Sequence, residues 1–229
     1  MLSTKKVNLG GGSGTSKTLL PGNTVAKINS VALEEFKFKE GGYHLVLNLE
    51  GVEQPEPFEG FYIDKDNPDL GRYKGLIGKV RTSEWAYADG TTKTGITVSR
   101  DNDIMAAIKR LCMTINQEQW FADQDEKHDT IEDFVKAFNK DAPFKDTWLY
   151  FCLAGKEYTN KGGYPSFDLY LPKFAKGFVP YELADSESDK VITFDPAVHI
   201  KKIEPKAVEN FTDNTDNPQP KIVSKDFEL

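Results

Sequence analysis

The stretch that decides the fold runs from Trp148 to Tyr170 and has the sequence WLYFCLAGKEYTNKGGYPSFDLY. Successive side chains of a β-strand point to opposite faces, so alternate residues share a face. Two apolar rows follow, the second ending one residue beyond the stretch: Leu149, Phe151 and Leu153, then Phe167, Leu169 and Leu171. The linking residues 159–163, TNKGG, tolerate left-handed backbone and favour a tight turn. The sequence therefore predicts a β-hairpin with one apolar face.

The opposite face of this hairpin carries aromatic rings with polar tips beside lysines. Its members are Trp148, Tyr150, Cys152, Lys156 and Tyr158 on the first strand, and Tyr164, Ser166, Asp168 and Tyr170 on the second. Such a surface suits a flat, anionic ligand that offers π-faces, and single-stranded nucleic acid is the commonest ligand of that kind.

A second basic and aromatic face is predicted in another part of the chain. Strands at Leu76–Tyr87 and Lys93–Arg100 would form a hairpin around Asp89-Gly90. One face of the first strand would carry Lys79, Arg81, Ser83, Trp85 and Tyr87.

Together the two faces give a set of candidate contacts to a nucleic-acid strand. The candidates for base stacking are Trp85, Tyr87, Tyr158, Tyr164 and Tyr170, and those for phosphate are Lys79, Arg81, Lys156 and Lys161. The alternative is structural: Tyr and Trp fit any half-buried pleated surface, and a helix or the C-terminal segment would then cover them.

The remaining elements follow from alternation and from helical spacing. Strands are predicted near Val25–Leu33, at Tyr43–Leu49 and, more weakly, at Pro57–Ile63. Helices are predicted at 101–115, behind an Asp or Asn cap, and at Thr130–Lys140. A further extended segment is predicted at Val191–Ile203. This order predicts a mainly β chain with inserted helices (α+β), in the specific form of an OB-fold-like, five-stranded Greek-key barrel with two helices. An α+β sheet with helices on one side is the alternative.

The 229 residues divide into three regions by composition. Residues 1–24 form a Gly/Ser-rich arm expected to be flexible, residues 25–204 the domain, and residues 205–229 an acidic tail expected to be disordered. A hydrophobic content of 38% is typical of a globular protein. No apolar run approaches the length that spans a bilayer, so no membrane contact and a cytoplasmic location are expected.

The net charge of −7 is unevenly distributed along the chain. Residues 72–110 contain eight Lys/Arg and four Asp/Glu, whereas residues 182–229 contain six and eleven. Positive charge therefore coincides with the aromatic faces, and negative charge with the end of the chain.

No motif in the sequence demands catalysis, a metal or a cofactor. Ser16 precedes Lys17 where a phosphate-binding loop needs glycine, and the Asp-rich turns have Asp69 and His128 where a calcium loop needs glycine. The three histidines are far apart, and no Gly-x-Ser-x-Gly sequence is present. Cys112 and Cys152 lie in apolar contexts and are expected to be buried thiols, although a disulfide stays open.

The chain resembles the single-stranded DNA-binding proteins of crAss-like and related tailed bacteriophages. The segments that carry the likeness, within residues 25–181, are Asn48-Leu49-Glu50-Gly51, Phe58-Glu59-Gly60-Phe61, residues 73–80 (YKGLIGKV) and Ala154-Gly155-Lys156-Glu157-Tyr158 through Leu171-Pro172-Lys173. The resemblance implies an OB-fold that coats exposed strands during replication and recombination in the cytoplasm of an infected bacterial cell.

Many proteins of this family end in an acidic tail with a terminal aromatic residue, which recruits partners and competes with DNA. The end of this chain is similar, with Asp226, Phe227 and Glu228 as the expected partner-binding residues for phage replication proteins. It departs from the family by ending in Leu229 and by retaining Lys221 and Lys225.

The sequence thus predicts a non-enzymatic protein that binds single-stranded DNA without sequence preference. The alternative is a virion structural or protein-interaction module whose aromatic face contacts protein. A weaker third possibility is an accessory factor of a replication or transcription complex. Homo-oligomerisation stays open.

Overall fold

The computed structural model describes residues 18–51, 76–162, 165–175, 177–187 and 189–202. In these residues the chain is mainly β, with a mixed sheet and four short helices, so the predicted α+β class is confirmed. The predicted strand at Pro57–Ile63 and the acidic tail lie outside the described residues.

Nine strands and four helices follow one another along the described chain. The strands are β1 (Gly22–Glu35), β2 (Tyr43–Gly51), β3 (Ile77–Arg81), β4 (Gly90–Thr91), β5 (Thr97–Val98), β6 (Trp148–Thr159), β7 (Pro165–Tyr170), β8 (Tyr181–Leu183) and β9 (Ile200–Lys202). The helices are α1 (Arg100–Thr114), α2 (Glu118–Ala122), α3 (Ile131–Asp141) and α4 (Pro196–His199).

The main sheet is mostly antiparallel. β1 pairs with β2, β2 with β3, and β7 with β6, all antiparallel, whereas β3 and β7 are parallel. β1 also pairs with β6 over Gly22–Lys27, and β8 and β9 lie along β6. The β3–β7 ladder contains two residue pairs within the described residues, and the barrel is not closed.

The hairpin predicted from Trp148 to Tyr170 is confirmed as β6 and β7, which pair in continuous register from Ala154↔Tyr170 to Thr159↔Pro165. The apolar row Leu149, Phe151 and Leu153 is fully buried in the core. Gly155 allows Pro21, just before β1, to pack closely on β6, because a Cβ at position 155 would lie 2.6 Å from Cγ of Pro21.

The two predicted helices are present as α1 and α3. In α3 the residues at helical spacing, Ile131, Phe134, Val135 and Phe138, are buried, and Thr130 caps the helix by accepting a hydrogen bond from the Asp133 backbone. The predicted Asp or Asn cap of α1 is wrong. Ser99 holds that position and accepts from the Asn102 backbone, because Arg100 already begins the helix.

The predicted hairpin around Asp89-Gly90 is wrong in its boundaries. β3 ends at Arg81, and the short hairpin is β4–β5, whose turn contains Gly95 at φ +82°. After β3 the chain leaves the edge of β2, and it returns there at Tyr87, whose backbone exchanges hydrogen bonds of 2.7 and 2.9 Å with that of Tyr43. Residues 79–87 therefore do not share one strand face.

The folded region begins earlier than predicted, because it includes the last residues of the arm 1–24 that the sequence predicts to be flexible. Leu19 is 1% exposed and packs in the core, and β1 starts at Gly22. Leu19 also donates a backbone hydrogen bond of 2.9 Å to Ile77, which holds this segment against β3.

The predicted extended segment at Val191–Ile203 is present in part. Ile192 donates a backbone hydrogen bond to Val179, and β9 packs on β6, but α4 separates these two contacts.

Candidate nucleic-acid interface

A groove of about 500 Å³ lies on the outward face of the sheet, across β2, β3 and β7 and the end of β6. The alternation of β3 positions it: Gly78 and Val80 are buried, whereas Lys79 and Arg81 point outward. Tyr158 on β6 also lines the groove. The structure therefore brings together three of the predicted contact residues, from two separate segments of the chain.

Both cations of the groove are paired with carboxylates. Nζ of Lys79 lies 2.6 Å from Oε1 of Glu34, and a guanidinium nitrogen of Arg81 lies 3.4 Å from Oδ2 of Asp168. These pairs are partly exposed to solvent, so each stabilises the fold only weakly and opens at little cost. The two positive charges of the groove are therefore balanced by two negative charges. The phosphate contacts predicted from the sequence included only the cations.

A second group of contact residues surrounds Trp85, and we call it the Trp85 cluster: Glu84, Trp85, Lys156 and Lys201. The Trp85 side chain is 63% exposed, and Nζ of Lys156 lies 4.9 Å from the centroid of its ring. Glu84 contacts both lysines. Lys156 of the predicted β6 face thus contacts Trp85 of the second predicted face, although residues 82–87 are not part of a strand.

Lys201 was missed by the sequence analysis. Its position in the run Ile200-Lys201-Lys202 marks it as basic. Its place in the cluster depends on the parallel pairing of β9 with β6, which local periodicity does not indicate.

Two predicted stacking residues are not available as free rings. Tyr170 is 6% exposed, and burial raises its pKa. Tyr87 is partly buried, its hydroxyl lies 2.9 Å from that of Thr82, and burial raises its pKa as well. For these two positions the structural alternative holds: Tyr170 is buried, and Tyr87 packs against the hydrophobic core.

The remaining predicted contacts lie near the β6–β7 turn. Lys161 is exposed in that turn. Tyr164 lies outside the described residues, as do the tail residues Asp226, Phe227 and Glu228.

Neither a metal site nor a reactive thiol emerges from the described ranges. No group of three His, Cys, Asp or Glu in them could hold a metal ion. Cys112 and Cys152 are buried free thiols, as predicted, and burial raises the pKa of each to about 12. Among the helices of the described residues, none is long and apolar enough to cross a membrane.

Comparisons with protein-family models, with curated proteins and with solved structures gave no significant match. The functional argument therefore rests on the groove and the Trp85 cluster.

Proposed function

We propose that this chain binds single-stranded nucleic acid without sequence preference and performs no catalytic step. The observation that carries the proposal is the contact between Trp85 and Lys156, an exposed ring with an ammonium group beside it. Proteins that bind single strands combine these two elements, because every base offers a π-face and every linkage offers a phosphate.

The groove adds length to this surface. Lys79, Arg81 and Tyr158 line it on the outward face of the sheet. A strand that contacts both the groove and the Trp85 cluster would meet cations from β3, β6 and β9.

We further propose that the sheet is OB-like. The pairings from β1 through β2, β3, β7 and β6 return to β1, and α1, α2 and α3 are inserted between β3 and β6. An OB-fold is a partly open, five-stranded Greek-key barrel whose face on strands 2 and 3 binds oligonucleotides. The groove lies on the corresponding face, so the pairing order supports both the fold and the ligand.

The ion pairs of the groove set the expected strength of binding. Phosphate must displace Glu34 and Asp168 from their cations, so part of the electrostatic gain is spent on opening these contacts. Affinity should accordingly be low at high salt, where counterion release contributes little.

The biological setting follows from the sequence resemblance. We propose that the chain coats exposed DNA strands during phage replication or recombination in the host cytoplasm, and that the acidic tail contacts phage replication proteins. Asp226, Phe227 and Glu228 are the proposed tail contacts.

A second candidate function is a protein-interaction or virion structural module. It is favoured by the paired state of Lys79 and Arg81, and by exposed apolar side chains such as Phe38 and Ile77. Such a balanced, partly apolar surface is also typical of a protein interface.

Titration with oligo-dT, followed by tryptophan fluorescence, tests the proposal. The expected result is quenching that saturates, tighter binding to the single strand than to a duplex of equal length, and an affinity that falls steeply with salt. Oligo-rU in parallel reports the preference between DNA and RNA. Equal affinity for the duplex, or no response to salt, would favour the protein-interaction module.

A further inference from the structure

Two lysines of the Trp85 cluster lie side by side in the sheet. Lys156 on β6 and Lys201 on β9 are register partners in the parallel ladder. Like charges at opposed positions of neighbouring strands destabilise a sheet. This pair therefore requires an anion between or beside the two ammonium groups.

Glu84 supplies that anion in the structure. Its Oε2 lies 2.6 Å from Nζ of Lys201, and its Oε1 lies 3.3 Å from Nζ of Lys156. One carboxylate therefore bridges both lysines, with a separate oxygen for each. The three groups together retain one positive charge.

The carboxylate is well shielded and stays ionised. The Glu84 side chain is 13% exposed, whereas that of Lys201 is 49% exposed. Burial raises the pKa of Glu84, but hydrogen bonds from Lys201 and Lys156 outweigh this effect, so the pKa lies below its usual value.

A phosphodiester matches this carboxylate in charge and in the number of free oxygens. Each group carries one negative charge and presents two oxygens that accept hydrogen bonds from ammonium groups. Trp85 lies next to the same lysine, so a phosphate held by Lys156 would bring an adjacent base to the exposed ring.

We propose that Lys156 and Lys201 form a phosphate subsite, and that Glu84 occupies this subsite in the free protein until a strand displaces it. This inference rests on the proposed function and adds the regulation of its site. While no strand is present, Glu84 offsets one of the two lysine charges and bridges both ammonium groups, and it competes with the strand for them.

The variant Glu84→Gln tests the inference, because it keeps the shape of the side chain and removes its charge. Glu157→Gln is the matched control. It also removes one negative charge, but Glu157 points to the face of β6 opposite to that of its neighbour Lys156. Affinity for oligo-dT at low salt is expected to rise severalfold in Glu84→Gln and to change little in Glu157→Gln. The slope of log affinity against log salt should steepen by about 0.7 for each lysine released to a phosphate.

Lys201→Gln provides a second and independent test, with Lys202→Gln as its control on the same strand. Lys201→Gln should weaken binding and reduce the salt slope, whereas Lys202→Gln should do so less. The double variant Glu84→Gln/Lys201→Gln should lose the gain made by Glu84→Gln alone. Thermal unfolding of each variant verifies that the comparison is made between folded proteins.

The outcomes separate this inference from the proposed function. If the wild-type protein binds oligo-dT but Glu84→Gln binds equally or more weakly, and Lys201→Gln behaves as Lys202→Gln, the subsite is overturned and the proposed function stands. If neither the wild-type protein nor the variants bind oligo-dT, both are overturned.

Discussion

Asn139 on α3 exchanges two hydrogen bonds with the backbone of Val31 on β1. Its Oδ1 accepts from the Val31 N–H at 2.7 Å, and its Nδ2 donates to the Val31 carbonyl at 2.6 Å. β1 pairs with β6 only as far as Lys27, so beyond that point this edge of the strand needs other partners. The side chain therefore replaces a neighbouring strand and docks α3 on the sheet.

Asn139→Ala is expected to destabilise the protein by about 1–3 kcal/mol, because both backbone groups of Val31 lose their partner in a partly buried position. Asn139→Asp, which keeps the acceptor and removes the donor, should lose part of the stability. Urea unfolding measures both changes. An unchanged midpoint for Asn139→Ala would mean that water replaces the side chain at no cost.

Trp85→Ala is expected to weaken oligo-dT binding by about 1–3 kcal/mol, because a base loses its stacking partner. The fold should be retained, since the ring is mostly exposed. Trp148→Ala is the control: that ring is 53% exposed on the same strand as Lys156, eight residues away, or roughly 26 Å along the strand. Anisotropy of a labelled oligonucleotide gives both affinities. Equal losses in the two variants would argue against a specific stacking site.

Lys79→Gln is expected to reduce the salt slope of oligo-dT binding by about 0.7, because one phosphate contact is lost. Lys140→Gln, at the exposed end of α3, should leave the slope unchanged. Affinities at several salt concentrations give the slopes. If Lys79→Gln keeps the wild-type slope, its ammonium remains with Glu34 in the complex and does not contact phosphate.

Deletion of residues 206–229 is expected to tighten oligo-dT binding at low salt and to change it little at high salt. A tethered polyanion has a high local concentration near cations, and salt screens it. Replacing Asp213, Asp216, Asp226 and Glu228 by their amides should reproduce the effect, whereas Phe227→Ala should not. Unchanged or weaker binding by the truncated protein at low salt would show that the tail does not compete and only adds solubility.

Stability is expected to decrease as pH falls below 6.5, in part through His44. Its pKa is lowered mainly by burial, and also by the charges of Arg81 and Lys156, against the opposing effects of Glu34 and Asp168. The unfolded chain then binds a proton that the folded chain does not, so the free energy of unfolding rises with pH between the folded pKa and 6.5. Above pH 6.5 the full contribution of His44 to the free energy of unfolding is present.

Urea unfolding at a series of pH values measures this dependence. The variant His44→Gln should flatten the dependence within the window. Identical profiles for His44→Gln and the wild-type protein would mean that other groups carry the pH dependence.

Strictly local patterns were predicted well from the sequence. The alternation of Leu149, Phe151 and Leu153 identified β6, and the helical spacing of Phe134 and Phe138 identified the buried stripe of α3. Both patterns are consequences of backbone geometry over a few residues. Met105 is an exception: it follows the helical spacing of α1 but is 37% exposed, because it lies at the edge of the stripe.

The candidate site was predicted only in part. The sequence placed Trp85 and Lys156 on different hairpins, and their contact required the chain to leave β3 at Arg81 and return to β2 at Tyr87. Alternation correctly directed Tyr170 outward, but it does not report what covers an outward face.

The sequence by itself determined how side chains alternate along β6 and α3, because side-chain direction within a strand or helix depends on backbone geometry over a few residues. Only the tertiary structure decided which charges pair. Glu84 meets Lys201 across 117 positions of the chain, and their contact depends on where β9 joins β6. An ion pair between residues remote in the sequence forms only where the fold brings their charges within a few ångströms, and no local pattern reports that proximity.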